Sequence, residues 1–434
     1  MTPNSDLINK VSPSPEGKDL GWGQRKSPSD NAGEAMRCLL CKKPKCALQG
    51  CPVHTPIPEC MLLYRQGKLD EAGELLFRNN PLTAVTSLVC DWQQFCYGHC
   101  VLNVKKMPVR WYEIEQEISG EYLFRHKLER RSEELSGKRI ALVGAGPVGL
   151  SAAVWLYEAG ADVTLYDANP RMGGVLRYGI PAFRLDKKYC DAFEAMFEAA
   201  GITFRGGVEV GHDIPLSQLS AQYDAVLLGA GAEKPATLRI PGDEKAVQAL
   251  PFLKDPSAFE LGRKVIVIGG GNVAMDACRT AVRKGCETWV YYRKTFENMP
   301  ANPMEVEEAK ADGVQFRVFQ APVEVREGGV VFRDCENVVP EDGGRVITRI
   351  IEGTDHFVEC DTLLTAISET PDFHIFKDTS AVMNEWGWPD VEEGGRVKGL
   401  SNVWVAGDFI LGPKTVVEAV ASAREAVSAI MAAL

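Results

Sequence analysis

Thiols are the densest reactive chemistry in this chain. Eight of its thirteen cysteines lie before residue 101, and four of them fall within CLLCKKPKCALQGCP. That run, Cys38, Cys41, Cys46 and Cys51, has the spacing C-x2-C-x4-C-x4-C-P. Cys90, Cys96 and Cys100 follow as C-x5-C-x3-C, with Cys60 between the two groups. The later five (Cys190, Cys278, Cys286, Cys335 and Cys360) are scattered singly. Cysteines packed this closely hold a metal, a cluster or a disulfide. A disulfide-stapled secreted domain would be small and signal-bearing, whereas this chain has 434 residues and opens on the polar MTPNSDLINK. A cytoplasmic location is therefore expected. Zinc sites usually pair two C-x2-C knuckles, and only one is present. Bacterial ferredoxins use C-x2-C-x2-C-x3-C-P, with the fourth cysteine serving a second cluster. The run here follows the same logic with two longer gaps. Spacing alone favours iron–sulfur and leaves zinc or free thiols as alternatives.

A second chemistry lies in two glycine-rich turns. KRIALVGAGPVGLSAAVWLYEAGADVTLYDANP places Gly144, Gly146 and Gly149 between an apolar strand and a helix. The first glycine permits the tight turn, the second lets a pyrophosphate approach the backbone, and the third lets helix pack on strand. The pyrophosphate would sit on the helix N-terminus. Asp167, 23 residues after Gly144, is placed to accept from ribose hydroxyls. The motif recurs 125 residues on, in RKVIVIGGGNVAMDACRTAVRKGCETWVYYRK, with Gly269, Gly271 and Ala274. Here the acid position is Tyr292, followed by Arg293 and Lys294. An arginine at this point accommodates a 2′-phosphate that an acid would repel. The first site thus suits FAD or NAD and the second NADP(H). Near the C-terminus an apolar strand delivers Gly407-Asp408, and a helix starts at Pro413–Thr415. Asp408 could accept from a flavin ribityl chain, and the helix N-terminus could stabilise a reduced flavin.

These residues need a frame to position them. Residues 1–33, rich in Pro, Ser, Gly and charge, read as an extended arm. Residues 34–136 read as a small helical domain carrying the cysteines, with apolar spacings of three and four in IPECMLLYRQGKLDEAGELLFRNN. The two βαβ openings predict an α/β fold of two Rossmann-like domains. One spans 137–258 and 376–434, the other 259–375. Net charge is −11, which argues against nucleic-acid or anionic-membrane partners. No run approaches the roughly 18 apolar residues of a membrane span.

Together GAGPVGL, GGVLRYGIPAFRLDK, LLGAGA, GGGNVAMD, YRK…NMPA, VEEAKADGV and VWVAGDFILGPKTVVEA resemble the small (beta) subunit of bacterial NADPH-dependent glutamate synthase and its relatives. Among these are the electron-input half of dihydropyrimidine dehydrogenase and the large subunit of NADH-dependent ferredoxin:NADP oxidoreductase. The resemblance covers roughly residues 34–434. It implies FAD in the first domain, NADPH in the second and two [4Fe–4S] clusters in the helical domain. Hydride would pass from NADPH to FAD, and single electrons would leave through the clusters to a partner subunit. It implies Gly144, Gly146, Pro147, Gly149, Asp167, Gly174, Arg177, Gly407, Asp408 and Thr415 at FAD. Gly269, Gly271, Asn272, Ala274, Arg293 and Lys294 would lie at NADPH. It assigns Cys38, Cys41, Cys46 and Cys100 to one cluster, and Cys51, Cys90 and Cys96 to the other. The fourth ligand of the latter matches Glu115, with Gln116 and Cys60 as alternatives. No catalytic side chain is expected, since hydride transfer needs only positioning. Some positions depart from the family pattern: Arg293-Lys294 replaces a frequent arginine pair, AISETPD is unusual, and CDWQQFC lacks the common Cys-Pro opening. The same architecture would serve a dihydropyrimidine dehydrogenase-type or ferredoxin-coupled complex. A disulfide reductase or a nucleotide-binding assembly subunit are the other readings.

Overall fold

A computed structural model describes residues 28–338 and 347–434. The cysteine-bearing part is helical: α1 (Pro28–Arg37), α2 (Ile57–Arg65), α3 (Leu69–Asn79), α4 (Thr83–Val89) and α5 (Trp111–Arg125). The segment expected to be an extended arm thus ends in a helix from Pro28, and its first 27 residues lie outside the described residues. Helix α5 organises this part. Trp111, Ile114, Ile118 and Tyr122 recur at spacings of three and four and are buried against α3 and α4. Burying each isoleucine contributes about 1.5–3 kcal/mol. Glu115 lies in the same buried face.

The first sheet is built from β1 (Arg139–Val143), β2 (Asp162–Asp167), β3 (Thr203–Gly206) and β4 (Ala225–Leu228), with α6 (Pro147–Glu158) after β1 and α7 (Lys188–Ala200) before β3. Its second sheet partner group begins with β5 (Val247–Gln248), β6 (Lys264–Ile268), α8 (Asn272–Arg283), β7 (Glu287–Tyr292), α9 (Pro303–Ala311) and β8 (Gln315–Val318). An antiparallel module follows: β9 (Gln320–Arg326), β10 (Gly329–Val338), β11 (Ile347–Ile350) and β12 (His356–Glu359). Then come β13 (Thr362–Thr365), β14 (Val403–Val405) and α10 (Val416–Ala433).

Both large sheets are parallel. The first has the order β14-β4-β1-β2-β3, the second β5-β13-β6-β7-β8. The chain therefore returns at β14 to close the first sheet, where Val403 pairs with Val226. Strands β1, β4 and β14 are almost wholly apolar because helices and loops cover both faces. Helix α10 lays Val420, Ala423 and Val427 into this core against α6. The second sheet has its own core around Val265, Val267, Met275 and Leu364.

Candidate functional site

The first glycine turn is built as its spacing predicts. Gly144 has φ +98°, and a Cβ there would come within 2.3 Å of the Gly229 carbonyl oxygen. A Cβ on Gly149 would come within 2.0 Å of the Gly144 carbonyl oxygen, so only glycine lets α6 pack this closely on β1. Gly146 caps α6 without any side-chain hydrogen bond, which leaves first-turn N–H groups available for an anion. Pro147 occupies the first helical position. Asp167 ends β2 and is 8% exposed. Its Oδ2 accepts from the Ala145 N–H at 2.7 Å, and its Oδ1 accepts from the Asn169 N–H at 2.7 Å. It braces the turn besides facing the site.

The C-terminal Gly407-Asp408 turn lies on this loop: a Cβ on Gly407 would meet Val148 Cγ2 at 2.5 Å. Burial pushes the Asp408 carboxyl up to about 7. Gly174 also belongs here, with its Cβ position 2.7 Å from Gly146 Cα. Two residues expected at FAD also brace their own turns. The Arg177 guanidinium donates to the Met172 carbonyl at 2.6 Å and pairs with Asp191 at 2.8 Å. Thr415 serves as the N-cap of α10 in a reciprocal capping box with Glu418.

The second turn has the same backbone logic. Gly269 has φ +149°, and a Cβ there would lie 2.1 Å from the Ala366 carbonyl oxygen and 3.2 Å from Ala274 Cβ. Gly271 caps α8 with no side-chain bond. Asn272 Oδ1 accepts from the Asn302 N–H at 2.8 Å, fixing the loop before α9. Arg293 stands exposed at the end of β7 with no ion-pair partner among the described residues, and Lys294 is half-buried beside it.

The two dinucleotide sites meet across a buried ion cluster that motif reading did not anticipate. Arg184, in GIPAFRLDK, donates to Asp276 on α8 at 2.7 Å and to Glu305 on α9 at 2.5 Å. Burial pushes both carboxyls up, Glu305 to about 8. Lys187, three residues on, donates to the Leu176 carbonyl at 2.8 Å, and burial lowers its ammonium to about 8. The sequence signal is three charged residues, Arg184, Asp186 and Lys187, following the apolar stretch Ile180–Phe183.

The early cysteines line two adjoining cavities. Cys38, Cys41, Cys46 and Cys100 surround an outer one, with Leu39, Lys45 and Val101 at its edge. Cys51, Cys90 and Glu115 surround an inner one, which reaches Val417 on α10. Cys96, Ile57 and Trp111 line both, forming the wall between them. All thirteen cysteines are free thiols. Among the described residues no three His, Cys, Asp or Glu side chains converge on a single-ion site. Thiol side chains from separate segments line the two cavities. Burial raises the thiols of Cys38, Cys51, Cys90 and Cys96, and Cys46 to about 12. Glu115 is 8% exposed and accepts from Thr83 Oγ1 at 2.8 Å, and burial pushes its carboxyl up to about 7. Gln116 turns away: it accepts from Ser87 Oγ at 2.5 Å and donates to Tyr189 OH at 2.8 Å. Cys60 is fully buried in the α2–α5 core and lines neither cavity.

Comparison with known proteins agrees with this arrangement. Residues 23–126 match a family described as dihydropyrimidine dehydrogenase domain II, 4Fe-4S cluster. Residues 142–187 match an NAD(P)-binding Rossmann-like domain, and residues 212–423 match pyridine nucleotide-disulphide oxidoreductases. The chain is 32% identical to the glutamate synthase [NADPH] small chain of Halomonas elongata, over 92% of this chain and 90% of that one. It is 31% identical to the Escherichia coli small chain, over 94% and 91%. Mycobacterium tuberculosis FprA in complex with NADPH shares the fold over 68% of this chain and 84% of its own, at a TM-score of 0.58 and 19% identity. Among the described residues no helix is long and apolar enough to cross a membrane. The chain belongs to the glutamate synthase small-chain family of NADPH-dependent oxidoreductases and carries a 4Fe–4S domain at its N-terminal side.

Proposed function

We propose that this chain is an electron-input flavoprotein. It oxidises NADPH, holds FAD, and delivers electrons through two [4Fe–4S] clusters to a partner subunit or acceptor. The pair of adjoining cysteine-lined cavities carries this reading. The inner one lies against the helix that follows the Gly407-Asp408 turn, and the outer one has exposed residues at its edge. Bound FAD converts a two-electron hydride into single electrons, and [4Fe–4S] clusters carry them one at a time.

The chain's own residues would divide the work as follows. Free N–H groups at the start of α6 take the FAD pyrophosphate, and Asp167 accepts from the ribose. Asp408 and the N-terminus of α10 face the flavin, while Arg177 and Thr415 hold their turns in shape. The start of α8 takes the NADPH pyrophosphate, with Arg293 and Lys294 at the 2′-phosphate. Cys38, Cys41, Cys46 and Cys100 hold the outer cluster. Cys51, Cys90, Cys96 and Glu115 hold the inner one. No acid–base residue is assigned, because hydride transfer needs only placement. A disulfide reductase would need a redox cysteine pair at the flavin, and the single C-x2-C lines the outer cavity instead.

The test is anaerobic reconstitution followed by iron analysis, EPR and NADPH titration. About eight iron atoms per chain, two interacting reduced clusters and bleaching of the flavin by NADPH are expected. About four irons, or a flavin that NADPH leaves oxidised, would refute it.

A further inference from the structure

The outer cavity is bordered by a lysine-rich surface. Two segments border it, Leu39–Leu48 and Val101–Met107, and the Arg37 guanidinium ties them by donating to the Met107 carbonyl at 2.5 Å. They carry Lys42, Lys43, Lys45, Lys105 and Lys106, all exposed. Neither segment contains an acid. None of the five side chains has an ion-pair partner among the described residues. The nearby arginines, by contrast, are neutralised: Arg37 by Glu34, and Arg110 by Glu34 and Glu113. This concentration of positive charge stands in a chain of net charge −11.

Between the lysines lie apolar side chains that face water. Val104 is 92% exposed, Met36 68% and Leu39 62%, and Leu48, Val101 and Met107 on the same two segments are exposed as well. Single exposed apolar residues are ordinary, but a contiguous patch rimmed by charge marks an interaction site. Leu39, Lys45 and Val101 belong to both the patch and the cavity wall.

We propose that this lysine-rimmed patch is the docking face for an acidic redox protein that takes electrons one at a time from the outer cavity. The inference rests on the proposed function above. Charge sets the partner's sign, since a surface complementary to five lysines is acidic, and such pairing steers encounter. The apolar centre excludes water at the point of closest approach. In each encounter one electron leaves this chain and the partner's centre is reduced by one. NADPH supplies the electrons in pairs.

The test uses the reconstituted holoenzyme and an acidic [2Fe–2S] ferredoxin as probe, with the basic cytochrome c as charge control. Variants are Lys42→Glu/Lys43→Glu, Lys105→Glu/Lys106→Glu, all four together, and Val104→Asp. Binding of the ferredoxin is measured by surface plasmon resonance, and carboxyl–amine cross-links are mapped by mass spectrometry. The four-lysine variant is expected to lose affinity at least tenfold at low salt, and in the parent protein the cross-links should be confined to the named lysines. The difference should vanish near 1 M salt, where the Debye length falls to about 3 Å. Val104→Asp should weaken binding at every salt concentration. Flavin bleaching by NADPH, followed by stopped flow, should be unchanged in all variants. Ferredoxin binding that ignores the lysines overturns the docking face and leaves the functional reading standing. So does lysine-dependent binding to vesicles containing phosphatidylserine, or lysine-dependent self-association, without an effect on the ferredoxin. Absent clusters or an unbleached flavin in the parent protein overturns the functional reading instead.

Discussion

Replacing Arg184 by methionine should loosen the two dinucleotide-binding domains from each other. The Arg184 side chain is 10% exposed, and its carboxylate partners Asp276 and Glu305 are 6% and 8% exposed. Asp276 Oδ1 and Glu305 Oε2 have no hydrogen-bond partner among the described residues. The arginine is therefore the principal partner of two buried acids on α8 and α9. Removing one member of a buried ion pair costs about 3–5 kcal/mol, because the remaining charge stays desolvated. Methionine retains the aliphatic stem, so little of that loss is packing. For domains of this size each kcal/mol moves the unfolding midpoint by about 2–4 °C, which gives a fall of roughly 6–20 °C. Differential scanning calorimetry of the holoenzyme at pH 9, above the value of about 8 to which burial raises the Glu305 carboxyl, reads this directly. A triple variant, Arg184→Met/Asp276→Asn/Glu305→Gln, removes all three charges of this cluster and should recover most of the loss. Stopped-flow bleaching of the flavin by NADPH should slow in the single variant, since the domains hold donor and acceptor together. A shift under about 2 °C, or a triple variant as unstable as the single one, would refute the electrostatic reasoning.

Other expectations follow from the same geometry. Burial raises the Glu305 carboxyl to about 8, so the folded chain keeps a proton that the unfolded chain releases above about 4.5. Stability should accordingly fall as pH climbs from about 4.5 through about 8, and Glu305→Gln should flatten that slope in calorimetry; stability rising over this range contradicts it. Arg293→Ala removes a charge-assisted contact of about 1.5–3 kcal/mol, so KM for NADPH should rise about 10- to 150-fold while KM for NADH holds, and equal rises would rule out a 2′-phosphate role. Glu115→Ala should lower iron content and remove one EPR signal, whereas Cys60→Ala should leave both intact. The opposite pattern would move the ligand to Cys60.

The dinucleotide sites were legible because backbone geometry demands particular residues there. Gly144, Gly149 and Gly269 each occupy places where a Cβ would strike a carbonyl oxygen at 2.0–2.3 Å. Such a constraint leaves the same mark in any sequence. Contacts between distant segments leave no such mark. Arg184 meets Asp276 and Glu305 from 92 and 121 residues away, and no local pattern announces the pairing. The family resemblance implies Arg177 at FAD, and contacts that no local pattern shows hold its guanidinium against Met172 and Asp191. The antiparallel module of β9 to β12 carries no such mark either, because it is inserted between β8 and β13 of one parallel sheet. The start of α1 was obscured by Pro28 and Ser29, which suit a helix N-terminus as well as an extended arm.

The cysteine count posed the sharper problem. Eight early cysteines equal the ligands that two all-thiolate clusters would need, so counting favours using all of them. Burial points the other way. Cys60 lies on the face of α2 that packs with Ile114 and Met61, and it faces neither cavity. Glu115 sits one residue beyond Ile114 on α5 and turns into the inner cavity beside Cys51, Cys90 and Cys96. A buried carboxylate with a hydroxyl donor from Thr83 is expensive unless a cation completes its surroundings. Iron held by the three neighbouring thiolates would supply that positive charge. The same ion would be bound by a harder ligand than sulfur, which separates the inner cluster's potential from that of the outer one. On this argument a cysteine in place of Glu115 would remove that difference.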